Sequence, residues 1–559
     1  MSRTWTSVRS LLPGRADYRV LRTSWRSDLL AGITVGIVAL PLALAFGVSS
    51  GAGAAAGLIT AIVAGLVAAV FGGSNVQVSG PTGAMVVVLA PIVVSHGVGA
   101  VVVVSVLAGV IVLLGGLLRL GRTVSYLPWP VIEGFTVGIG VIIFLQQIPA
   151  AVGASATGRS TNSAVAAIES VAAADWPAAL LPIAAVVAVA VVMLSLGRVS
   201  GRLPASFIAI VVVTLASLVF ALPLATIGAL PHSLPLPAFP VVEMGSLASL
   251  VGPAFAVAAL AAIESLLSAR VAASMADTGP YNPDRELVGQ GLASIASGFF
   301  GGMPATGAIA RTAVNVRSGA RTRASAIVHS LALLAVVYLA ANVVAVIPLA
   351  ALSGVLIVTA ARMISPTMIK QVLRSTRSDA IVFVVTALIT VSFDLIIAVG
   401  IGIGVAAFFA LRALSTASGV RREELPGDPA VGDERIALFR IDGSLFFGAA
   451  ERLLDRISSH RGIEVVIVRL SQLQLVDATG AHTLAELVTA LERRGVTVLI
   501  KGIRPEHLQL LDRLGVIGSL RHPNHLFAEL DPAIAHARSH IARSHTARSS
   551  VPRVGDATA

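Results

Sequence analysis

Two short stretches carry the residue types that can hold an anion inside an apolar chain. One is GMPATGAIART at 302–312, and the other is VSGPTGAM at 78–85. Each sets Pro, Thr, Gly and Ala at the head of a long apolar run, and each follows a Gly-Gly step, at 72–73 and 301–302. Gly and Pro keep backbone out of a helix, and the Ala-rich run that follows restarts one. A helix that begins at lipid depth exposes N–H groups that are costly unless a partner arrives. Two such starts facing across a cavity would offer an anion those N–H groups and two positive dipole ends. The candidate substrate-binding set is therefore Gly80, Pro81, Thr82 and Gly83 on one side and Thr306, Gly307 and Ala308 on the other. Helix capping is the plainer use for the two threonine hydroxyls, and it is compatible with binding.

Few ionisable residues lie near these stretches. Glu264 sits mid-run in ALAAIESLLSAR. A carboxylate at that depth needs a partner, a cation or a proton, so it marks either an ion path or a lasting pairing with Arg311 or Arg270. Ser268 falls one turn later on the same helical face and could add an oxygen ligand. Arg311 follows the second helix start and could either charge the anion site or neutralise Glu264. Pro41 breaks the first apolar run, and Phe46 beyond it is either a wall of the site or plain core. His329 reads as a satisfied core histidine, and Glu133 as a capping or solvated acid. GIGIG at 400–404 follows no strand and reads as helix packing. No phosphate-binding loop, zinc motif or catalytic triad is visible, so neither an enzyme nor a nucleotide-driven pump is expected.

The elements that must position these residues are membrane spans. Of 559 residues, 56% are apolar and 12% charged, against about 25% charged in a soluble domain. The chain lacks cysteine, which excludes disulfides and thiolate metal sites. A net charge of +11 would suggest nucleic acid in a soluble protein. Here the arginines flank apolar spans, so topology explains them and no nucleic-acid partner is expected. After a polar, Arg-rich cytoplasmic leader at 1–27, the transmembrane domain covers 28–419. It holds fourteen apolar runs, at 29–48, 54–71, 80–95, 98–118, 129–149, 177–196, 204–222, 251–272, 287–300, 306–316, 324–347, 350–363, 379–397 and 399–417. A full span takes about 20 residues, so the third and tenth read as half-helices from the midplane. With the N-terminus inside, Lys and Arg gather in the cytoplasmic connections and Arg159 stands alone outside. The matching placement of the two Thr-Gly-Ala starts predicts a seven-plus-seven inverted repeat.

Composition changes after 419. A charged linker at 420–434 leads into ALFRIDGSLFFG, read as strand, turn and strand. A helix over 449–461, a strand at 465–470, a helix over 478–494 and a strand at 496–503 complete a small α/β domain at 435–535. The ARSH repeats of 536–559 read as a disordered, basic, solvated tail.

The run RELVGQGLASIASGFFGGMPATGAIARTAVNVRSGARTR at 285–323 resembles the signature region of the SulP family, the sulfate-permease-like anion transporters related to solute carrier 26. DLLAGITVGIVALPLALAFG, VSGPTGAM and PWPVIEGFTVG resemble the same family in the expected order. The C-terminal region resembles a STAS domain, with VDATG at 476–480 in its signature turn. The resemblance implies fourteen spans in two repeats, a core domain moving against a gate domain, and a homodimer. In sodium-coupled relatives the eighth helix offers a carboxylate and a hydroxyl beside backbone carbonyls of the tenth. Here those groups are Glu264, Ser268, Gly307, Ala308 and Ile309, with Glu264 where such relatives often have Asp. The coupling ion, sodium at Glu264 or a proton, stays open. Arg311 matches a basic family position, while Leu42 replaces a Gln found in several relatives. Thr479 stands where related antagonist domains carry a phosphorylated Ser, although turn chemistry is the preferred account of Asp477 and Thr479. The expected function is secondary active transport of a sulfate, bicarbonate or dicarboxylate anion in the cell inner membrane, with the N-terminus and STAS domain cytoplasmic. An uncoupled channel or exchanger is the alternative, and a membrane-bound receptor signalling through the C-terminal domain is a third. Lipid and a second copy are the only other expected partners, and no cofactor beyond the coupling ion is required.

Overall fold

The computed structural model describes residues 11–18, 20–126, 128–154, 162–200, 203–239, 244–392, 395–417, 419–445 and 462–549. The chain divides into two units, Met1–Gly404 and Val405–Ala559. In order, the first unit runs α1 (Leu21–Ser49), α2 (Ala54–Phe71), β1 (Ser79–Gly80), α3 (Gly83–His96), α4 (Gly99–Leu117) and α5 (Trp129–Ala151). It continues with α6 (Ser163–Ala172), α7 (Trp176–Val199), α8 (Ala205–Val219), α9 (Met244–Met275), α10 (Pro283–Phe299) and β2 (Thr306–Gly307). Then come α11 (Ile309–Arg317), α12 (Ala324–Ala345), α13 (Leu349–Met363), α14 (Pro366–Leu373), α15 (Arg377–Ser392) and α16 (Leu395–Ala417), whose second half lies in the next unit.

Each of the fourteen apolar runs meets a helix, and α3 and α11 are short, with 14 and 9 residues. Two further short helices, α6 and α14, were not anticipated. Each starts at a side-chain cap, Asn162 accepting from the amides of Ala164 and Val165, and Ser365 accepting from that of Met368. Those capping residues are in the sequence, but a search for long apolar runs passes over them.

Helix packing separates two groups. In one, α10 lies against α2 and α4, α12 against α1 and α2, and α9 against α4 and α11. In the other, α5 packs on α13 and α15, and α7 on α8 and α13. Lipid supplies no hydrophobic drive between helices, so close approach of small residues does the work. At the α4–α10 contact a Cβ added to Gly109 would lie 2.7 Å from the Gly291 carbonyl, and the reverse substitution would be equally close.

The leader is not wholly separate from this bundle. Helix α1 begins at Leu21, inside the stretch read as leader. Buried Asp28 accepts from the amides of Arg321 and Thr322 at 2.7 and 3.0 Å. Ahead of α1, Asp17 pairs with Arg285 at 2.7 Å and approaches Arg323 to 3.8 Å. Topology alone therefore does not explain these arginines, which are buried and partnered. Burial pushes the Asp17 carboxyl up, but the Arg285 hydrogen bond, the Gly14 amide and the Arg323 charge outweigh it and hold the group below its ordinary value. A depressed carboxyl contributes stability above its unfolded pKa and loses it as pH falls through the folded one. Hydrogen exchange at residues 14–18, measured relative to its intrinsic rate at each pH, should accordingly stay slow at neutral pH and quicken only below the ordinary carboxylate range. Asp17→Asn should quicken it at neutral pH, where the parent keeps the pair, and unchanged protection in that variant would remove the ion pair as the cause.

The second unit carries β3 (Gly419–Glu423), β4 (Ile436–Leu445), β5 (Val465–Arg469), β6 (Leu473–Val476), α17 (Ala478–Arg493), β7 (Thr497–Lys501), α18 (Pro505–Arg513), β8 (Leu526–Phe527) and α19 (Leu530–Ser549). The sheet order is β3-β4-β5-β7-β8, with β6 pairing the end of β4, and every pairing is parallel except β3 with β4. The alternation of β4 and β5 sends Phe439, Val466 and Val468 to one core, with α17, and Leu438, Val465 and Ile467 to the other, with α19.

Three expectations change here. The ALFRIDGSLFFG stretch makes one continuous strand as far as Leu445, with a register shift at Gly443 in place of a turn. Part of the supposed linker is strand β3, whose Glu423 meets Arg440 at 2.7 Å and Arg469 at 3.1 Å. A short, charged strand suits a sheet edge, which is why its composition reads as linker. Part of the supposed tail is helix α19, running to Ser549 and burying Ala533, Ala537 and Ile541 at four-residue spacing. The helix predicted over 449–461 lies outside the described residues. Asp477 caps α17 through the Gly480 amide at 2.7 Å, leaving Thr479 exposed in its first turn.

Candidate functional site

Strands β1 and β2 pair antiparallel, Ser79 opposite Gly307 and Gly80 opposite Thr306. The Ala308 amide extends the ladder to the Val78 carbonyl at 2.9 Å. Each strand feeds a helix at once, so α3 and α11 start from one crossing. Their N-cap residues, Thr82 and Ala308, make no side-chain cap. Thr82 spends its hydroxyl on Glu264 Oε2 at 2.8 Å instead. Both first turns therefore keep N–H groups without a side-chain partner at the crossing, where the two positive dipole ends meet.

Helix α9 holds the crossing through hydroxyls. Ser265 Oγ accepts from the Gly307 amide at 3.0 Å and pairs with Thr306 Oγ1 at 3.1 Å. Ser268 pairs with Thr312 at 3.1 Å, and Thr312 in turn accepts from the Val78 amide at 3.1 Å. Gln77 donates to the Ser265 carbonyl at 3.2 Å. A Cβ on Gly307 would collide with the Gln77 amide, so any larger residue there would push Gln77 out of its place. Gly80 holds φ at +152°, and a Cβ on it would lie 2.8 Å from Arg311 Nη1.

Arg311 is buried, with 2% of its surface exposed. Its Nη2 donates to the Pro81 carbonyl, and its Nη1 has no hydrogen-bond partner among the described residues. The Pro81 contact ties the first turn of α11 to the entry of α3. Glu264 is part-buried and directed to Thr82, while Arg270 is exposed six residues further along α9. Phe46 is buried close to Gly83, where an added Cβ would stand 3.4 Å from its ring.

Residues 25–386 match the Sulfate permease family, and residues 429–533 match the STAS domain. The chain belongs to the sulfate permease family. Among curated relatives, the bicarbonate transporter BicA of Synechocystis is 30% identical over 513 residues, covering 88% of this chain and 90% of BicA. The solved transmembrane domain of a cyanobacterial BicA superposes with a TM-score of 0.60 at 31% identity, covering 67% of this chain and 97% of that one. The structure of SLC26A9 matches with a TM-score of 0.81 over 98% of this chain and 95% of its own, and its 17% identity speaks to fold alone. The chain is thus a polytopic membrane protein with the fold of sulfate permease anion transporters and a C-terminal STAS domain.

In this member of the family, Gly80, Pro81, Thr82, Gly83, Thr306, Gly307, Ala308 and Arg311 come together at the crossing, with Glu264 beside Thr82. Ser268 does not join Glu264, because its hydroxyl is held by Thr312. The Ile309 side chain is exposed, leaving its backbone as the relevant part. His329 departs from the satisfied core histidine expected. It is fully buried and neither ring nitrogen has a partner among the described residues. Ser265, Thr312 and Gln77 were missed. Ser265 and Ser268 stand three apart on α9 beside Glu264, so a polar stripe within α9 could have exposed Ser265. Gln77 belongs to no periodic element and gave no such signal.

Proposed function

We propose that this protein carries a small anion, sulfate, bicarbonate or a dicarboxylate, across the membrane by alternating access, as a secondary transporter driven by a proton or a sodium ion. The observation that carries this reading is the meeting of two helix starts without side-chain caps at one crossing, beside an unpartnered guanidinium nitrogen. The anion binds the first-turn amides of α3 and α11 and Arg311 Nη1, with Phe46 as an apolar wall. Glu264, in reach of Thr82, takes up and releases the coupling ion, with the Gly307, Ala308 and Ile309 backbone as the ion's further ligands, so that it registers the state of the anion site. In this reading 28–419 is the transport domain and 435–535 the STAS domain. The N-terminus and STAS domain face the cytoplasm in a homodimer of the inner membrane. Phosphate on Thr479 would sit at the start of α17, where it is electrostatically favoured.

Relatives named as sulfate transporters and as bicarbonate transporters make sulfate and bicarbonate the first anions to try. The test is uptake of labelled bicarbonate, sulfate and dicarboxylates into proteoliposomes under an imposed proton or sodium gradient. Accumulation above the outside level under one gradient is the expected result. Equilibration without accumulation under either gradient would instead favour an uncoupled channel or exchanger.

A further inference from the structure

The geometry points to a divalent transition-metal site on the STAS domain, formed by His525, His536 and His540, with Zn2+ as the fitting ion. The three histidines each bring one ring nitrogen to within 4.8 Å of the others. His536 and His540 lie one turn apart on α19, and their Nε2 atoms are 3.2 Å apart. Tetrahedral zinc with Zn–N bonds of about 2.0–2.1 Å separates neighbouring ligand nitrogens by about 3.3 Å, so this pair already spans one edge of the polyhedron. The third ligand comes from another element, the turn before β8, where His525 is 4% exposed and its Nδ1 has no hydrogen-bond partner among the described residues.

A purely structural cluster would account for edge-to-face imidazoles, whose ring centres here are 4.9 to 5.6 Å apart. It does not account for a buried ring nitrogen left unpaired, which costs desolvation with no return. Three imidazoles without thiolate or carboxylate suit zinc, copper or nickel rather than magnesium or calcium. Zinc imposes no d-electron geometry and accepts three protein ligands with an open fourth position. Two arginines neighbour the cluster, Arg521 and Arg543. Arg521 is paired with Glu492 at 3.0 Å, which lessens its repulsion of a metal ion, and Arg543 is turned to the Ser539 carbonyl at 3.2 Å. A bound ion would fasten the middle of α19 to the turn before β8, between the apolar anchors Ala533 and Ile541.

The test uses the full chain, purified in detergent without a polyhistidine tag and stripped with chelator. Co2+ titration followed by absorption, and Zn2+ displacement of it, give stoichiometry and affinity. One equivalent per chain is expected, with tetrahedral cobalt bands and slower hydrogen exchange across 536–543 when Zn2+ is present. His540→Gln, at a part-exposed position, should fold normally and weaken Zn2+ binding by more than about 100-fold, since even outer-shell changes cost about 10- to 100-fold. His525→Gln should do the same, with its circular dichroism checked against the parent. No binding by the parent chain, or binding that survives both substitutions undiminished, would overturn the assignment.

Discussion

Glu264→Gln is expected to give a folded protein that still exchanges anion for anion but no longer concentrates it. Gln keeps the side-chain length and an oxygen that can accept from Thr82, whose hydroxyl lies 2.8 Å from the carboxylate. It removes the charge and the capacity to bind a proton or a sodium ion. Concentrative uptake needs the driving ion to move with the anion, so the inside level should fall to the outside level under both gradients. Exchange moves no net coupling ion and should persist. Measuring proton-driven and sodium-driven uptake separately on parent and variant also identifies the ion. Should the variant accumulate anion as the parent does under both gradients, Glu264 is structural and the uncoupled reading moves ahead.

The second large effect belongs to Arg311. Its Nη2 holds the Pro81 carbonyl and its Nη1 is buried without a partner. An anion at the crossing would receive a charge-assisted bond from that nitrogen. Such bonds contribute about 1.5–3 kcal/mol, so Arg311→Met should weaken anion binding by about 10- to 100-fold. Arg311→Lys should restore little, because an ammonium cannot serve Pro81 and the anion together in a fixed fork. The alternative role, neutralising Glu264, has a separate signature. In that case Glu264→Gln placed on Arg311→Met would recover the lost affinity, because the acid would no longer be stranded. Titration calorimetry on the two single variants and the double variant separates these cases. Parent-like affinity in Arg311→Met would reduce the arginine to a strut between α11 and the entry of α3.

Much of this arrangement was legible because the bilayer constrains sequence so strongly. Fourteen apolar runs, two of them short, correspond to helices, and the repeated Pro-Thr-Gly-Ala motifs mark the two strands that cross. The side-chain wiring was less legible. Spacing put Glu264 and Ser268 on one face, but which hydroxyl meets which depends on the rotation of α9 against the crossing, and Ser265 takes the central place. In the second unit, charge misled twice. Glu423 of β3 is met by Arg440 of β4 and Arg469 of β5, and the Arg and Ser of α19 cover a narrow stripe of Ala and Ile. Composition averages over such faces, whereas four-residue periodicity at 533, 537 and 541 would have kept the helix.

The binding of anion at the two helix starts can be read directly with one introduced thiol. The chain contains no cysteine, so Ile309→Cys at the head of α11, where the side chain is 42% exposed, would carry its sole thiol. The quantity to measure is the rate at which a small charged thiol reagent modifies purified Ile309→Cys, with and without each transported anion. A saturable site at the crossing predicts slowing in proportion to occupancy, about tenfold at ten times Kd, with the same half-point as uptake. A rate unchanged by anion at concentrations that saturate uptake would place the anion elsewhere and contradict the account.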